Sequence, residues 1–281
     1  MNPFDFSSWL QTALQEDIGS GDYTTLATIP ENAMGKAQLI VKDNGVIAGM
    51  AIAEKIIHAF DPSLKITTLI EDGVVVKKGD IAFYLEGKSQ SITTIERLVL
   101  NVMQRMSGIA TEAHRLTQMI AHTNCKLLDT RKTTPNFRYF EKEAVRIGGG
   151  INHRYALYDM ILVKDNHVDF AGGVKPALSK IVAFLEEKNL DLKIEVETRN
   201  MSEIDEVLET GIAFRIMLDN FTPEQIRDAV QHINGRVETE ASGGITESTL
   251  VEYAETGVDY ISMGALTHHI QSFDLSLKAV K

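Results

Sequence analysis

The sequence predicts an α/β protein in two parts, an amino-terminal α+β sandwich followed by a closed or nearly closed α/β barrel of fewer than eight strands. Three observations predict it. The hydrophobic pattern changes near residue 110, six strand-loop-helix units follow in succession, and the polar strand ends recur at a near-constant spacing: Glu197, Asp219, Ser242 and Gly264 lie 22, 23 and 22 residues apart.

Before residue 110, short β-like pieces (AQLIVKDNGVIAG, LKITTLI, IAFYLEG) mix with helical stretches at Ala51 to Phe60 and Ile92 to Ser107. Beyond it, apolar or β-branched runs at 126–128, 160–163, 193–196, 214–218, 237–240 and 260–263 are separated by amphipathic segments at 174–187, 201–209, 223–232 and 247–255. Repeated βα units of this kind build a parallel sheet covered by helices. Each strand ends at its carboxyl side in polar chemistry, LLDTRK, ILVKDNH, IEVET, IMLDN, ETEASGG and ISMGAL. Barrel active sites are assembled on that rim from the ends of different strands.

Composition narrows the function. With 281 residues and 44% hydrophobic content the chain can bury a sizeable core, and a formal charge of −11 with pI near 5.2 excludes a general nucleic-acid binder, which needs a basic surface. No apolar run approaches the roughly 20 residues that a membrane span needs. Cys125 is the single cysteine, so it is expected to be a buried small hydrophobe, and with no signal peptide it points to the cytoplasm.

Against this acidic background, residues 131–167 gather seven lysines and arginines against four acids. Thr134-Pro135 reads as a helix N-cap and first helical position, predicting a helix from Pro135 to about Arg146 that stops at Gly148-Gly149-Gly150. Arg138, Lys142 and Arg146 would then share one face. Like charges at that spacing cost roughly 0.2–0.5 kcal/mol per pair, so an anion is expected opposite them. The glycines serve either a close backbone approach to a ligand or a turn with positive φ.

Glu197 and Asp219 end successive strands; each alone would pass as a helix cap, but together they suit a magnesium ion or the hydroxyls of a sugar. EASGGI (240–245) and MGALTH (263–268) follow the last two strands, where barrels bind phosphate through backbone N–H groups. Lys164 suits anion binding among its cationic neighbours better than Schiff-base chemistry. His58, His114, His122, His232, His268 and His269 offer no convincing ligand set, and no zinc site is expected.

In order along the chain, EDIGSGDYTT, ERLVLNVMQRMSGIAT, DTRKTTPNFR, EKEAVRIGGGINHR, MILVKDNH, IEVET, IMLDN, EASGGI and VDYISMGALTH make the sequence resemble the quinolinate phosphoribosyltransferase family over essentially its whole length. Two positions depart from the family pattern, Asn136 where glycine is usual and His269 where serine is common. The resemblance implies an incomplete, six- or seven-stranded α/β barrel over residues 111–268, and an amino-terminal sandwich over 1–110 that the tail 269–281 joins. It implies transfer of the phosphoribosyl group of phosphoribosyl pyrophosphate to quinolinate with decarboxylation, on the route to NAD, with Mg2+ as cofactor. It further implies a homodimer, or a higher oligomer of dimers, in which Arg97 reaches into the partner's barrel. Matching motifs assign Arg131, Lys132, His153, Arg154 and Lys164 to quinolinate, Glu197 and Asp219 to the ribose and magnesium, and Ser242, Gly243, Gly264 and His268 to the 5′-phosphate. Two other readings are a phosphoribosyltransferase for another pyridine carboxylate or a molybdenum-associated substrate, and a non-catalytic sensor of anions or NAD precursors. The complete cationic set argues against the first, and the paired carboxylates argue against the second.

Overall fold

The computed structural model describes Phe4 to Val280. In chain order the elements are α1 (Phe6–Asp17), α2 (Tyr23–Thr28), β1 (Met34–Val41), β2 (Gly45–Val46), α3 (Met50–Phe60), β3 (Lys65–Thr68), β4 (Val75–Val76), β5 (Ile81–Lys88) and the long α4 (Ser89–Met119). There follow β6 (Lys126–Leu128), α5 (Arg138–Ile147), β7 (Ile161–Val163), α6 (Asp165–Ala171), α7 (Val174–Lys188), β8 (Ile194–Thr198), α8 (Met201–Thr210), β9 (Arg215–Asp219) and α9 (Pro223–Ile233). The chain closes with β10 (Glu238–Ser242), α10 (Glu247–Ala254), β11 (Tyr260–Ser262), α11 (Ala265–His268) and β12 (Leu275–Ala279). Among the described residues, no helix is long and apolar enough to cross a membrane.

These elements form two compact units. Within the described residues, the first comprises the chain up to His114, Thr133–Gly149 and the segment from Ala265 onward; the second comprises Arg115–Lys132 and Gly150–Gly264. The first is an α+β unit built on an antiparallel sheet of order β12-β1-β5-β3. Strand alternation puts Ala37, Leu39 and Val41 on the buried face of β1, and Leu39 pairs with Leu277 on one side and Phe83 on the other. The core combines this face with Ile56 and Ile57 of α3 and Ile95, Val99 and Met103 of α4. The helix expected to end at Ser107 runs on to Met119 because Ile109, Ala110, Ala113 and Leu116 continue its buried stripe.

The second unit holds six parallel strands in the order β6-β11-β10-β9-β8-β7. This is sequence order around a barrel, left open between β6 and β7. The sheet is therefore an incomplete barrel, and the six expected strands are present within one or two residues of their expected bounds. The helices are stopped by local chemistry. Asn189 and Asn234 cap α7 and α9 in the left-handed conformation, and α9 begins with Pro223 inside a capping box of Thr222 and Gln225.

A second helix boundary is corrected. α5 starts at Arg138, not Pro135, because Asn136 sits at φ 60°, outside any helix. Asparagine and glycine are the residues that tolerate that conformation, which accounts for asparagine standing where the family usually has glycine. The cationic face is also resolved locally. Lys142 is buried, Arg146 pairs with Glu143, and Arg138 Nε donates to Thr133 Oγ1 at 3.0 Å.

The glycines after α5 serve packing and turning. Gly149 turns at φ 95°, and a Cβ on Gly148 would come within 2.7 Å of Ala113 Cβ, in backbone contact with Ala110. Gly148→Ala is therefore expected to destabilise the protein by roughly 1–3 kcal/mol through overpacking, read as a lower urea midpoint at unchanged slope.

Candidate active site

Side chains two residues apart on a strand share a face. On β8 this groups Glu195 with Glu197, on β9 Arg215 with Met217 and Asp219, and on β10 Glu238 with Glu240 and Ser242. Parallel pairing sets Glu195 opposite Arg215, Arg215 opposite Glu238, Glu197 opposite Met217, and Asp219 opposite Ser242. A cavity of about 310 Å³ opens over this face, with Met217, Glu240 and Ser242 in its lining. Five of the expected residues, Arg131, Lys132, His153, Arg154 and Lys164, line the same cavity.

The cations there crowd one another. Burial first, then the Arg131 guanidinium nearby, hold Arg154 below the ordinary arginine value. Arg154 is steadied by a bond from Nη1 to the Met160 carbonyl at 3.2 Å. Lys132 is exposed, and its backbone N–H donates to Thr130 Oγ1 at 3.0 Å. Lys164 follows β7 directly, and its Nζ lies 2.7 Å from Glu197 Oε2. Its backbone N–H donates to Nδ1 of His167 at 2.9 Å, so His167 caps α6. Such a cluster of cations is electrostatically costly when empty and is complementary to an anion bearing several charges.

Glu197 and Asp219 stand at the carboxyl ends of neighbouring strands, Glu197 nearly buried. Asp219 is pushed above the usual carboxylate range, by burial first and then by the Glu197 charge. A carboxylate raised in this way by its neighbour gains from a cation held between the two. The donor set, two hard oxygens with no sulfur or imidazole, fits magnesium. After β10 the backbone turns through Gly243 and Gly244, at φ 95° and 64°. A Cβ on Gly243 would meet the Asn220 side chain, 2.7 Å from its Cγ, so only glycine fits between the two rim turns.

Behind the rim lies an ionic row that the sequence reading did not single out. His153 Nε2 is 2.8 Å from Glu195 Oε2 and 3.4 Å from Glu240 Oε2, and both carboxylates have no exposure. Arg215 Nη1 is 3.3 Å from Glu240 and 3.9 Å from Glu195, while its Nη2 holds Glu238 at 2.7 Å. The His153 backbone N–H and Asn152 Nδ2 both donate to the buried Asp129, at 2.8 and 2.6 Å. Burial disfavours a charged imidazole, but the two carboxylates outweigh it and raise His153 to about 9. Burial, with Glu240 close by, pushes Glu195 up to about 7. The signal for this row was present in the period-two pattern of IEVET and ETEAS, where Glu195 shares a face with Glu197 and Glu240 with Ser242.

His153, Glu195 and Glu240 bring three potential metal-ligating atoms within 4.8 Å of one another. They bond to one another through Oε2 of each carboxylate, with Arg215 as a further cation, while Oε1 of Glu195 and of Glu240 is buried without a hydrogen-bond partner among the described residues. Cys125 is buried, its thiol pushed up to about 12 by burial and then by Asp259, as suits an inert core residue. Gly264 follows β11 in the same unit, whereas Arg97 and His268 belong to the first unit. Arg97 is exposed on α4, and His268 closes α11 with its ring 4.2 Å from that of His269.

Comparison with known proteins converges on one family. Residues 22–107 match the quinolinate phosphoribosyl transferase N-terminal domain and residues 109–278 the C-terminal domain. The chain is 46% identical to quinolinate phosphoribosyltransferase [decarboxylating] 1b of Nicotiana tabacum, over 98% of this chain and 82% of that one. It is 37% identical to the probable nicotinate-nucleotide pyrophosphorylase [carboxylating] of Bacillus subtilis, over 99% and 94%. The crystal structure of NadC from Streptococcus pyogenes superposes with a TM-score of 0.92 at 36% identity, covering 100% of this chain and 99% of that one.

The buried row makes stability depend on pH with a definite sign. A group whose pKa is raised by folding stabilises fully below its unfolded value, and that contribution is lost as pH rises through the folded value. For His153 the window runs from 6.5 to about 9. The expected loss across it is about 3 kcal/mol. Urea denaturation at several pH values checks this; a flat profile between those limits would exclude a cationic His153.

Proposed function

The chain belongs to the quinolinate phosphoribosyltransferase family, and we propose that it transfers the phosphoribosyl group of phosphoribosyl pyrophosphate to quinolinate. The products are nicotinate mononucleotide, pyrophosphate and carbon dioxide, on the route to NAD. The observation that carries this reading is the gathering of Arg131, Lys132, His153, Arg154 and Lys164 around one cavity, next to the paired carboxylates Glu197 and Asp219. Quinolinate carries two adjacent carboxylates and the co-substrate a pyrophosphate and a phosphate, so a single pocket must neutralise many negative charges.

In this reading Arg131 and Arg154 pair with carboxylate oxygens through planar guanidinium groups, while Lys132 and Lys164 supply compact charges. Glu197 and Asp219 orient the ribose hydroxyls and hold Mg2+, which when bound neutralises charge on the departing pyrophosphate. Ser242, Gly243, Gly264 and His268 take the 5′-phosphate. The pyridine nitrogen forms its bond to the anomeric carbon as the bond to pyrophosphate breaks, and positive charge on the sugar is stabilised by the adjacent carboxylates. The quaternised ring then accepts the electron pair released when the 2-carboxylate leaves as carbon dioxide, and C2 takes up a proton. No covalent intermediate with the enzyme is required.

The reading includes a homodimer, or a higher oligomer of dimers, in which Arg97 completes the partner's pocket. It is supported by the exposure of Arg97, which has no ion-pair partner among the described residues. A cytoplasmic location is part of the same proposal, supported by the single buried cysteine. An assay with quinolinate, phosphoribosyl pyrophosphate and magnesium, following carbon dioxide and nicotinate mononucleotide, tests the whole.

Two outcomes are expected. Nicotinate, which lacks the second carboxylate, should show kcat/KM lower by about 10⁴, because the cations built for that group stay unpaired; comparable values for both acids would refute the substrate assignment. Losing one partner of a desolvated charge pair typically costs about 2–5 kcal/mol, so Arg97→Ala and Lys132→Ala should each be nearly inactive. Mixing the two should restore activity, because one pocket of the hybrid dimer then carries neither defect. Subunit exchange confirmed by mass spectrometry without recovered activity would mean that Arg97 does not act across an interface.

A further inference from the structure

Glu195, Glu240 and Arg215, which form this row with His153, are not used by any step above, yet all three are buried charges inside the barrel. A carboxylate oxygen only accepts hydrogen bonds. The His153 Nε2 that faces Glu195 at 2.8 Å and Glu240 at 3.4 Å must therefore carry a proton. Glu195 and Glu240 have no exposure, and an unpaired buried carboxylate costs several kcal/mol even after relaxation. One guanidinium cannot balance them, because Arg215 is also shared with Glu238 at 2.7 Å. A proton on Nε2 is compatible with a neutral ring as well; two buried carboxylates beside one shared guanidinium leave a negative charge, which a second proton on Nδ1 would balance by making the ring an imidazolium.

His153 is also clamped from the other end, its backbone N–H bonded to the buried Asp129 at 2.8 Å. Its ring thus lies between an anchored backbone and two fixed acceptors, with its side chain only 6% exposed, while the residue still lines the cavity. The geometry points to a role for residues that touch no substrate: we propose that Glu195 and Glu240 are positioning residues that keep His153 a fixed cation in the wall of the dicarboxylate pocket. His153 then recognises substrate by charge and passes no proton during turnover. The upward shift of His153 agrees with this. A metal ion bridging the same three groups would instead displace the Nε2 proton and leave a neutral ring.

The proposal rests on the reading of the cavity as the quinolinate pocket, and the experiment separates the two. Nitrogen-15 spectra of histidine-labelled protein, without substrates and with the His153 signal assigned through His153→Gln, should show an imidazolium at pH 7.5. In Glu195→Gln and Glu240→Gln the ring should shift toward the neutral form. The KM for quinolinate should rise about tenfold or more, and the KM for phosphoribosyl pyrophosphate should change by less than about twofold. A neutral His153 in the unaltered protein overturns the proposal, as does an imidazolium that persists in both variants or an equal loss of both substrates. The first readout needs no folded variant of Glu195 or Glu240. If the unaltered protein does not use quinolinate, the substrate assignment fails while the nitrogen signal still decides the charge of His153.

Discussion

Two carboxylates shut off from the surface, Glu195 and Glu240, set the terms for the rest of the barrel. Small barrels usually fill their interior with branched apolar side chains in layers. Here the layer beneath the rim is ionic, and charges in that position persist only when each has a partner at hydrogen-bonding distance. Arg215 at 3.3 Å from Glu240 and His153 at 2.8 Å from Glu195 meet that requirement. Arg215 is further placed by its stacking over Tyr260, with 4.1 Å between the guanidinium carbon and the ring centroid. Glu195 also lies close enough to Arg154 for its charge to offset part of the repulsion from Arg131.

Strand pairing is what delivers these partners. Opposite positions in adjacent strands lie close enough for their side chains to interact, and diagonal neighbours two residues on remain within reach of a long side chain. Arg215 meets Glu195 and Glu238 as direct neighbours and Glu240 as a diagonal one. The first unit uses the same device among helices and loops. Buried Glu141 of α5 takes Arg105 Nε at 3.1 Å and the Thr134 hydroxyl at 2.8 Å, and Arg105 also bonds the Thr267 carbonyl. Thr134 follows the Arg131-Lys132 pair by two residues and Thr267 precedes His268, so one buried carboxylate anchors chain next to three of the residues assigned to substrate.

The regular part of this architecture was legible because it repeats. Period-two runs located six strands, and of the polar residues at or just past their ends Arg131, Lys132, Lys164 and Ser242 line the cavity. Two kinds of feature escaped. The start of α5 was misplaced because proline after threonine signals an N-cap, and nothing local reveals that Asn136 will adopt φ 60°. The ionic row escaped because a glutamate inside a strand reads as an exposed face. Burial of Glu195 and Glu240 depends on pairing with His153, 42 and 87 positions away, and sequence spacing carries no information about partners so far apart. Asp129, which anchors His153 through its backbone, escaped for the same reason.

The pairing of Lys164 with Glu197 joins two groups that the proposed chemistry assigns to different substrates. Lys164 is half exposed and Glu197 nearly buried, so the carboxylate is the fixed member and the lysine the adaptable one. A cation held by Glu197 and Asp219 would compete with Lys164 for the same oxygen. The ammonium, on a flexible stem, would then be available to a carboxylate of the pyridine substrate. Arginine at 164 would hold Glu197 through a rigid fork and exchange less readily, whereas the pocket's other fixed anchors, Arg154 against the Met160 carbonyl and His153 against Glu195, are the ones whose partners belong to the protein alone. The kind of cation at each position thus follows from whether its partner must change when the pocket fills.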